Sequence, residues 1–278
     1  MLETADRSAF DESHEMFRDQ VRKFFAKELE PNLDRWEEAG IVDREFWRAC
    51  GEAGLLCPTM PEEYGGLGLD FGFNAVVGEE LNYAGSSAGL TLQSDITADY
   101  FLAYGSEEQK QHWIPKLVSG EAISAIAMTE PGTGSDLQGI KTTAKKDGNH
   151  FVINGSKTYI TNGQNADVVI VVAKTDPELG AKGTSLILVE ADRPGLSTAD
   201  VGNKMGIHMM ATAEVNLKDV RVPLSNLIGE ENKGFYHVLH FFDESRIQVA
   251  AQALGIAQGA YDRALAYVKQ REQFGRKI

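Results

Sequence analysis

The stretch "TTAKKDGNHFVING", residues 142–155, alternates in period two about Asp147-Gly148 and reads as a β-hairpin. It marks where the chain changes class. Further strands are predicted in "DVVIVVAKT" (167–175), "TSLILVEA" (184–191) and "AEVNLKDVRVP" (213–223), which are β-branched or alternating. No helical stretch separates them, so the sheet is expected to be mainly antiparallel, a small β-barrel or sandwich.

Before the hairpin the period is helical. Phe10, Phe17, Val21, Phe24, Phe25 and Leu29 recur at helix spacing until Pro31 ends the run. Asp43 is placed to cap a helix through "REFWRACGEAG", and "PEEYGGLGLD" (61–70) is a loop. Helices are predicted over 73–84 and 86–104, and Ser106 with Gln109 forms a capping box before "EEQKQHWIPKLVSG". After the strands, one helical pattern runs from Gly234 to Glu272 without a proline. Its apolar seam (Val249, Leu254, Ile256, Ala260 and Ala264) needs partner helices, and none follows. The chain is therefore expected to be a fragment, or to be completed by another chain. The fold class is α+β: a helical domain over 1–122, a β-domain over 123–228, and over 229–278 the first long helix of an incomplete four-helix bundle.

With 278 residues, 42% hydrophobic and 24% charged, the chain fits a globular protein of two or three domains. A net charge of −14 argues against nucleic-acid binding, and any anionic ligand must be held by local features. The N-terminus has neither an apolar core nor an Arg-rich face, and no run of about eighteen apolar residues occurs, so a cytoplasmic, non-membrane protein is expected. Cys50 and Cys57 have no second pair and read as reduced, partly buried thiols. His237, His240 and Asp243 share a helix face, but with no Glu-x-x-His pair no metal is expected.

Two segments carry ligand chemistry. "MTEPGTGSD" (128–136) offers close backbone approach and three hydroxyls, but neither the dinucleotide-binding glycine spacing nor a P-loop lysine. A tight turn between strands is the plain alternative. In "KTYITNG" (157–163), Tyr159 and Thr161 would face the same way on an extended strand, an aromatic face beside a hydroxyl.

With "FDESR" (242–246) and "REQFGRKI" (271–278), these motifs stand in the order and approximate spacing of the acyl-CoA dehydrogenase family, which the chain resembles from near residue 10 to its last residue. The resemblance implies FAD as cofactor, an acyl-CoA substrate oxidised to the trans-2-enoyl-CoA, electrons passed to an electron-transfer flavoprotein, and a homotetramer. It places Ile126, Ala127, Met128, Thr129, Glu130, Pro131, Gly132, Thr133, Gly134 and Ser135 against the flavin. Thr129 would bond the ring edge, and Ser135 would lie near the FAD phosphates and the CoA moiety. Tyr159, Ile160 and Thr161 match the second flavin segment. Tyr159 stands where the family often has tryptophan, and Ile126 where it tends to have Phe or Tyr. Asp243, Ser245 and Arg246 match the CoA-contacting turn, with Arg246 as anchor for a phosphate; a surface ion pair with Asp243 or Asp262 is the plain alternative. Arg271, Gln273 and Phe274 match residues that reach a neighbouring subunit's FAD, a solvated helix end being the plain reading.

The reaction needs a base for the α-proton. In most members that glutamate lies beyond the position of Ile278. A minority carries it where this chain has Ser245. Glu244 is one residue earlier, about 100° round the helix, and so is a weak candidate. An acyl-CoA oxidase, a flavin monooxygenase, or a non-catalytic subunit binding FAD or CoA are the alternatives.

Overall fold

The computed structural model describes residue 7 and residues 9–278, the side chain of Glu244 excepted. The helical region begins with α1 (Glu12–Glu28), capped by Asp11, whose carboxylate accepts from the Ser13 and His14 amides while the His14 side chain accepts from the Asp11 amide. Such a box contributes about 1 kcal/mol. Pro31 falls in a 3-10 turn, Glu30–Asn32, just past the helix end. A short helix not expected from the sequence follows, α2 (Leu33–Ala39), closed by Gly40 at φ 71°. Asp43 stands at the N-cap of α3 (Arg44–Glu52) but makes no capping bond; its carboxylate pairs with Arg35.

The central helix α4 (Phe71–Tyr83) is buried along most of its length. On one side, α1 docks through charge: Arg18 donates to Glu79 (2.9 Å) and Glu80 (2.7 Å), and Arg22 to Glu80 (2.6 Å). On the other side lies α8, described below. The predicted helix over 86–104 is broken into α5 (Leu90–Leu92), a π-helical turn (Gln93–Thr97) and α6 (Ala98–Tyr104). The extra residue in that turn brings Gln93 under the sheet, where its amide donates to Leu117 O (2.8 Å) and accepts from Ser124 N (2.9 Å). The expected capping box opens α7 (Glu107–Val118).

The strands are β1 (Ser124–Ala127), β2 (Thr143–Asp147), β3 (His150–Ile160), β4 (Val168–Lys174), β5 (Thr184–Glu190), β6 (Leu196–Asp200), β7 (Ala213–Pro223) and β8 (Leu227–Ile228). Their order is β6-β7-β3-β2-β4-β5-β8, with β1 on β4. Most pairs are antiparallel, but β4 takes β1 and one residue pair of β2 in parallel, so the sheet is mixed. It does not close into a barrel; it folds over as a sandwich. In β4, Val168, Ile170 and Val172 enter the core shared with the helices, while Val169, Val171 and Ala173 enter the core of the sandwich. Burial on both faces explains the unbroken apolar run.

The long helix α8 (Gly234–Gln270) ends two residues short of the predicted limit. Its buried stripe is not the apolar seam named from the sequence: Val249, Leu254 and Ile256 are about half exposed. The face against α4 carries Gly255 and Gly259, where an added Cβ would lie 2.2 Å from Glu79 O and 2.5 Å from Tyr83 O. Backbones approach there because no side chain intervenes. The chain then turns through Phe274 and Gly275, both at positive φ, between β9 (Glu272–Gln273) and β10 (Arg276–Lys277). Two left-handed residues are what a two-residue hairpin requires.

Cys50 and Cys57 are free thiols, fully rather than partly buried. No described helix is long and apolar enough to cross a membrane.

Candidate functional site

The site grows from one inward-facing charge. Along β3, Phe151 and Ile153 point into the sandwich core, and Lys157, on the same alternation, is 0% exposed. Its Nζ donates to the Met128 carbonyl (2.9 Å) and to Glu130 Oε1 (2.9 Å). Glu130 also accepts from the amides of Lys141 (2.6 Å) and Thr142 (2.9 Å). Burial pushes the Lys157 ammonium down to about 8, with Glu130 opposing the shift. For Glu130 burial acts upward, but hydrogen bonding from Thr142 and the Lys141 amide, with the lysine charge, outweighs it and holds the carboxyl below its ordinary value. Both groups are thus ionised at neutral pH.

This pair anchors the glycine-rich loop. Glu130 and Thr133 exchange both backbone bonds (2.9 and 3.0 Å) around Pro131-Gly132, and the Thr158 amide donates to Thr129 O (2.9 Å). The segments 128–133 and 157–161 are therefore side by side. Pro131, Gly132, Gly134 and Ser135 are exposed, and Met128, Thr129 and Thr133 half-buried. Ile126 and Ala127 are buried in β1, so their side chains are unavailable to a ligand.

The second segment departs from the expected geometry. Between Lys157 and Ile160 the β3–β7 register shifts, and Tyr159 adopts φ 57°. A bulge of this kind re-aims side chains, so simple alternation does not relate Tyr159 to Thr161. Tyr159 is 69% exposed, and Ile160 is buried. Thr161 is half-buried, with its hydroxyl 3.5 Å from Met210 Sδ. Asn162, also left-handed at φ 62°, closes the segment by donating to Gly89 O and Ser124 O, each at 3.1 Å.

Met210 also lines a cleft of about 690 Å³ between the α2 and α4 ends, the 206–210 loop and α8, with Ser86, Ala88, Gln252 and Ile256 among its walls. That volume suits a small molecule. Leu90 and Gln93 are fully buried packing residues and do not line it.

The remaining predicted residues sit on other elements. Asp243 and Arg246 pair with each other at 3.7 Å, 84% and 73% exposed. Asp262 bonds Tyr83 and Gln258 instead. Ser245 donates back to Phe242 O (3.3 Å). The side chain of Glu244 lies outside the described residues. Arg271, Gln273 and Phe274 are exposed in the terminal hairpin, Phe274 completely. No hydrogen bond or ion pair among the described residues joins these groups to the 128–133 or 157–161 segments. His237 stacks on Tyr104 (3.8 Å between centroids), and His240 Nδ1 lies 2.7 Å from the Tyr104 hydroxyl. The described residues hold no group of three or more metal-type side chains.

Sequence reading missed the Glu130–Lys157 pair and Asn162. The lysine was legible: position 157 falls on the apolar face of β3. The asparagine had no such signal, because its role depends on Gly89, in the turn before α5, and on Ser124, both distant in sequence.

Sequence profiles of the acyl-CoA dehydrogenase N-terminal, middle and C-terminal domains match residues 11–121, 125–220 and 232–278. The chain belongs to the acyl-CoA dehydrogenase family. It is 46% identical over 275 residues to the long-chain specific acyl-CoA dehydrogenase, mitochondrial, of Sus scrofa, covering 98% of this chain and 64% of that protein. It thus spans slightly under two thirds of that relative's length. A crystal structure of an acyl-CoA dehydrogenase from Geobacillus kaustophilus matches with a TM-score of 0.94 at 47% identity, over 99% of this chain and 73% of that one. A glutaryl-CoA dehydrogenase from Mycobacterium smegmatis, solved in complex with FADH2, matches with a TM-score of 0.89 at 31% identity, over 98% of this chain and 69% of that one.

Proposed function

We propose that this chain carries the flavin and acyl-CoA site of a dehydrogenase that converts an acyl-CoA thioester to its trans-2-enoyl product and passes electrons to an electron-transfer flavoprotein. One observation carries the reading: the Thr129 and Thr161 segments are stitched together by Lys157 and Thr158, and the Thr161 hydroxyl touches Met210, a wall residue of the neighbouring cleft.

The residues fit FAD by the chemistry of their donors. The loop offers the hydroxyls of Thr129, Thr133 and Ser135, and Tyr159 presents an exposed aromatic face. FAD, when bound, supplies the acceptor for the hydride from the β-carbon. Thr129 and Thr161 would hold the ring edge and Tyr159 would cover a face, while Ile160, buried in the sandwich core, would serve only as backbone between them. Ser135 would lie toward the phosphates. Arg246, permanently charged and unburied, would meet a CoA phosphate after leaving Asp243. Arg271, Gln273 and Phe274 would reach the flavin of a second subunit in a homotetramer. No base is assigned: Ser245 bonds its own helix and carries no carboxylate to accept the α-proton.

The test is anaerobic. Purified protein of natural length, loaded with FAD, should bleach on addition of an acyl-CoA. Protein that binds FAD but stays yellow with acyl-CoA of every chain length would favour the non-catalytic subunit. Protein that takes up no FAD would overturn the reading.

A further inference from the structure

The Glu130–Lys157 pair exceeds what tying a loop to a strand requires. That tie already exists in the Thr158 amide to Thr129 carbonyl bond, and the Glu130 carboxylate is held by two amides without the lysine. A fully buried ammonium is among the costlier groups a core can contain. Its second bond goes to a single chosen atom, the Met128 carbonyl oxygen.

The peptide joining Met128 to Thr129 is trans, so its C=O and N–H point in opposite directions. With the carbonyl drawn inward to Lys157, the Thr129 amide is turned away from the buried charge. That amide donates to no partner among the described residues, and Thr129 is partly exposed. A cation on the carbonyl of a peptide withdraws electrons from its nitrogen and strengthens the N–H as a donor.

We propose that Lys157 is a positioning residue for the flavin: its buried ammonium orients and polarises the Met128–Thr129 peptide, making the Thr129 N–H a strong outward donor to the part of the ring that gains negative charge on reduction. This rests on the flavin reading above. Glu130 balances the charge, so the field of the lysine is spent on the one peptide rather than on the fold at large.

The experiment compares FAD-loaded wild type with the Lys157→Met variant and with a Lys157→Met/Glu130→Gln double variant, in which no charge is left buried alone. Far-UV circular dichroism and thermal unfolding establish folding, and spectroelectrochemistry gives the flavin midpoint potential. The double variant is expected to stay folded, with the ratio of reduced-FAD to oxidised-FAD dissociation constants raised about three- to tenfold, read as a more negative potential. Loss of FAD from a folded double variant would equally support the assignment. A folded double variant whose potential matches wild type would overturn it, as would failure of both variants to fold, which would leave the pair a purely architectural role. Failure of the wild type itself to bind FAD would instead remove the flavin reading beneath the proposal.

Discussion

Two ion pairs lie in the two regions proposed to bind ligands, and they are built oppositely. Glu130–Lys157 is sealed beneath the segments proposed to hold the flavin, the lysine 0% and the glutamate 7% exposed, and its remaining bonds come from the backbone. Asp243–Arg246 is out in solvent, loosely paired at 3.7 Å. The first fixes geometry before any ligand arrives. The second is worth little to the fold and can be exchanged for a phosphate. On the proposed reading, rigidity is placed where a ring edge would be met by fixed donors, and freedom where a flexible anion would be caught.

The largest effect should come from breaking the sealed pair on one side. Lys157→Met leaves the Glu130 charge buried without its partner, and chemical denaturation should show a loss of about 3–5 kcal/mol. The double variant with Glu130→Gln should recover most of it. If the single variant lost nothing, the pair would not be the anchor described.

The same pair should give a pH signature. Lys157 has its proton affinity lowered by burial, from an ordinary 10.5 to about 8 in the folded chain. Between those two values the unfolded chain keeps a proton that the folded chain has released, so this group's contribution to stability rises with pH across the window. The difference between wild-type and double-variant stability should therefore shift in favour of wild type from pH 8 to 10.5. A flat difference would contradict it.

A buried acid elsewhere sharpens the contrast because it has no counter-charge. Asp95, in the π-helical turn, is 4% exposed; no well-formed hydrogen bond reaches its carboxyl oxygens among the described residues, and the Asn74 amide nearby offsets its burial only in part. Burial, with the nearby Asp99 charge, pushes its pKa well above the ordinary 3.8. The folded state holds the proton to higher pH than the unfolded state, so stability falls as pH rises above about 4. Asp95→Asn should raise stability at pH 7 by about 1–3 kcal/mol, a gain absent at pH 3.5.

The smallest effect on the fold belongs to the exposed pair. Arg246→Ala should leave the thermal midpoint unchanged while weakening acyl-CoA binding about tenfold, measured by calorimetry on the FAD-loaded protein. A fall in the midpoint with unchanged affinity would make Arg246 a structural residue instead.

The sequence revealed most of the architecture because its periods are clean. β7 occupies the predicted 213–223, and Ser106–Gln109 caps α7 as its spacing demands. What it hid has identifiable causes. Strand β6 (Leu196–Asp200) is almost wholly exposed, so it carries no alternation to read. The parallel β1–β4 pairing depends on "SAIA", four small or apolar residues that resemble a lead into the loop. The terminal hairpin has two-residue strands, too short for any period. In the site, residue types were legible but directions were not: Tyr159 takes a left-handed conformation that only its tertiary neighbours impose. Lys157 was the exception, visible as a charge on an apolar face.

The central claim, that the two hydroxyl-bearing segments grip one flavin, is tested most directly by FAD titration of the apoprotein beside a Thr129→Val/Thr161→Val variant. Neither hydroxyl holds the fold together, so thermal unfolding of the two apoproteins should coincide while the variant's dissociation constant for FAD rises at least about tenfold. Equal affinities in the two proteins would contradict the account.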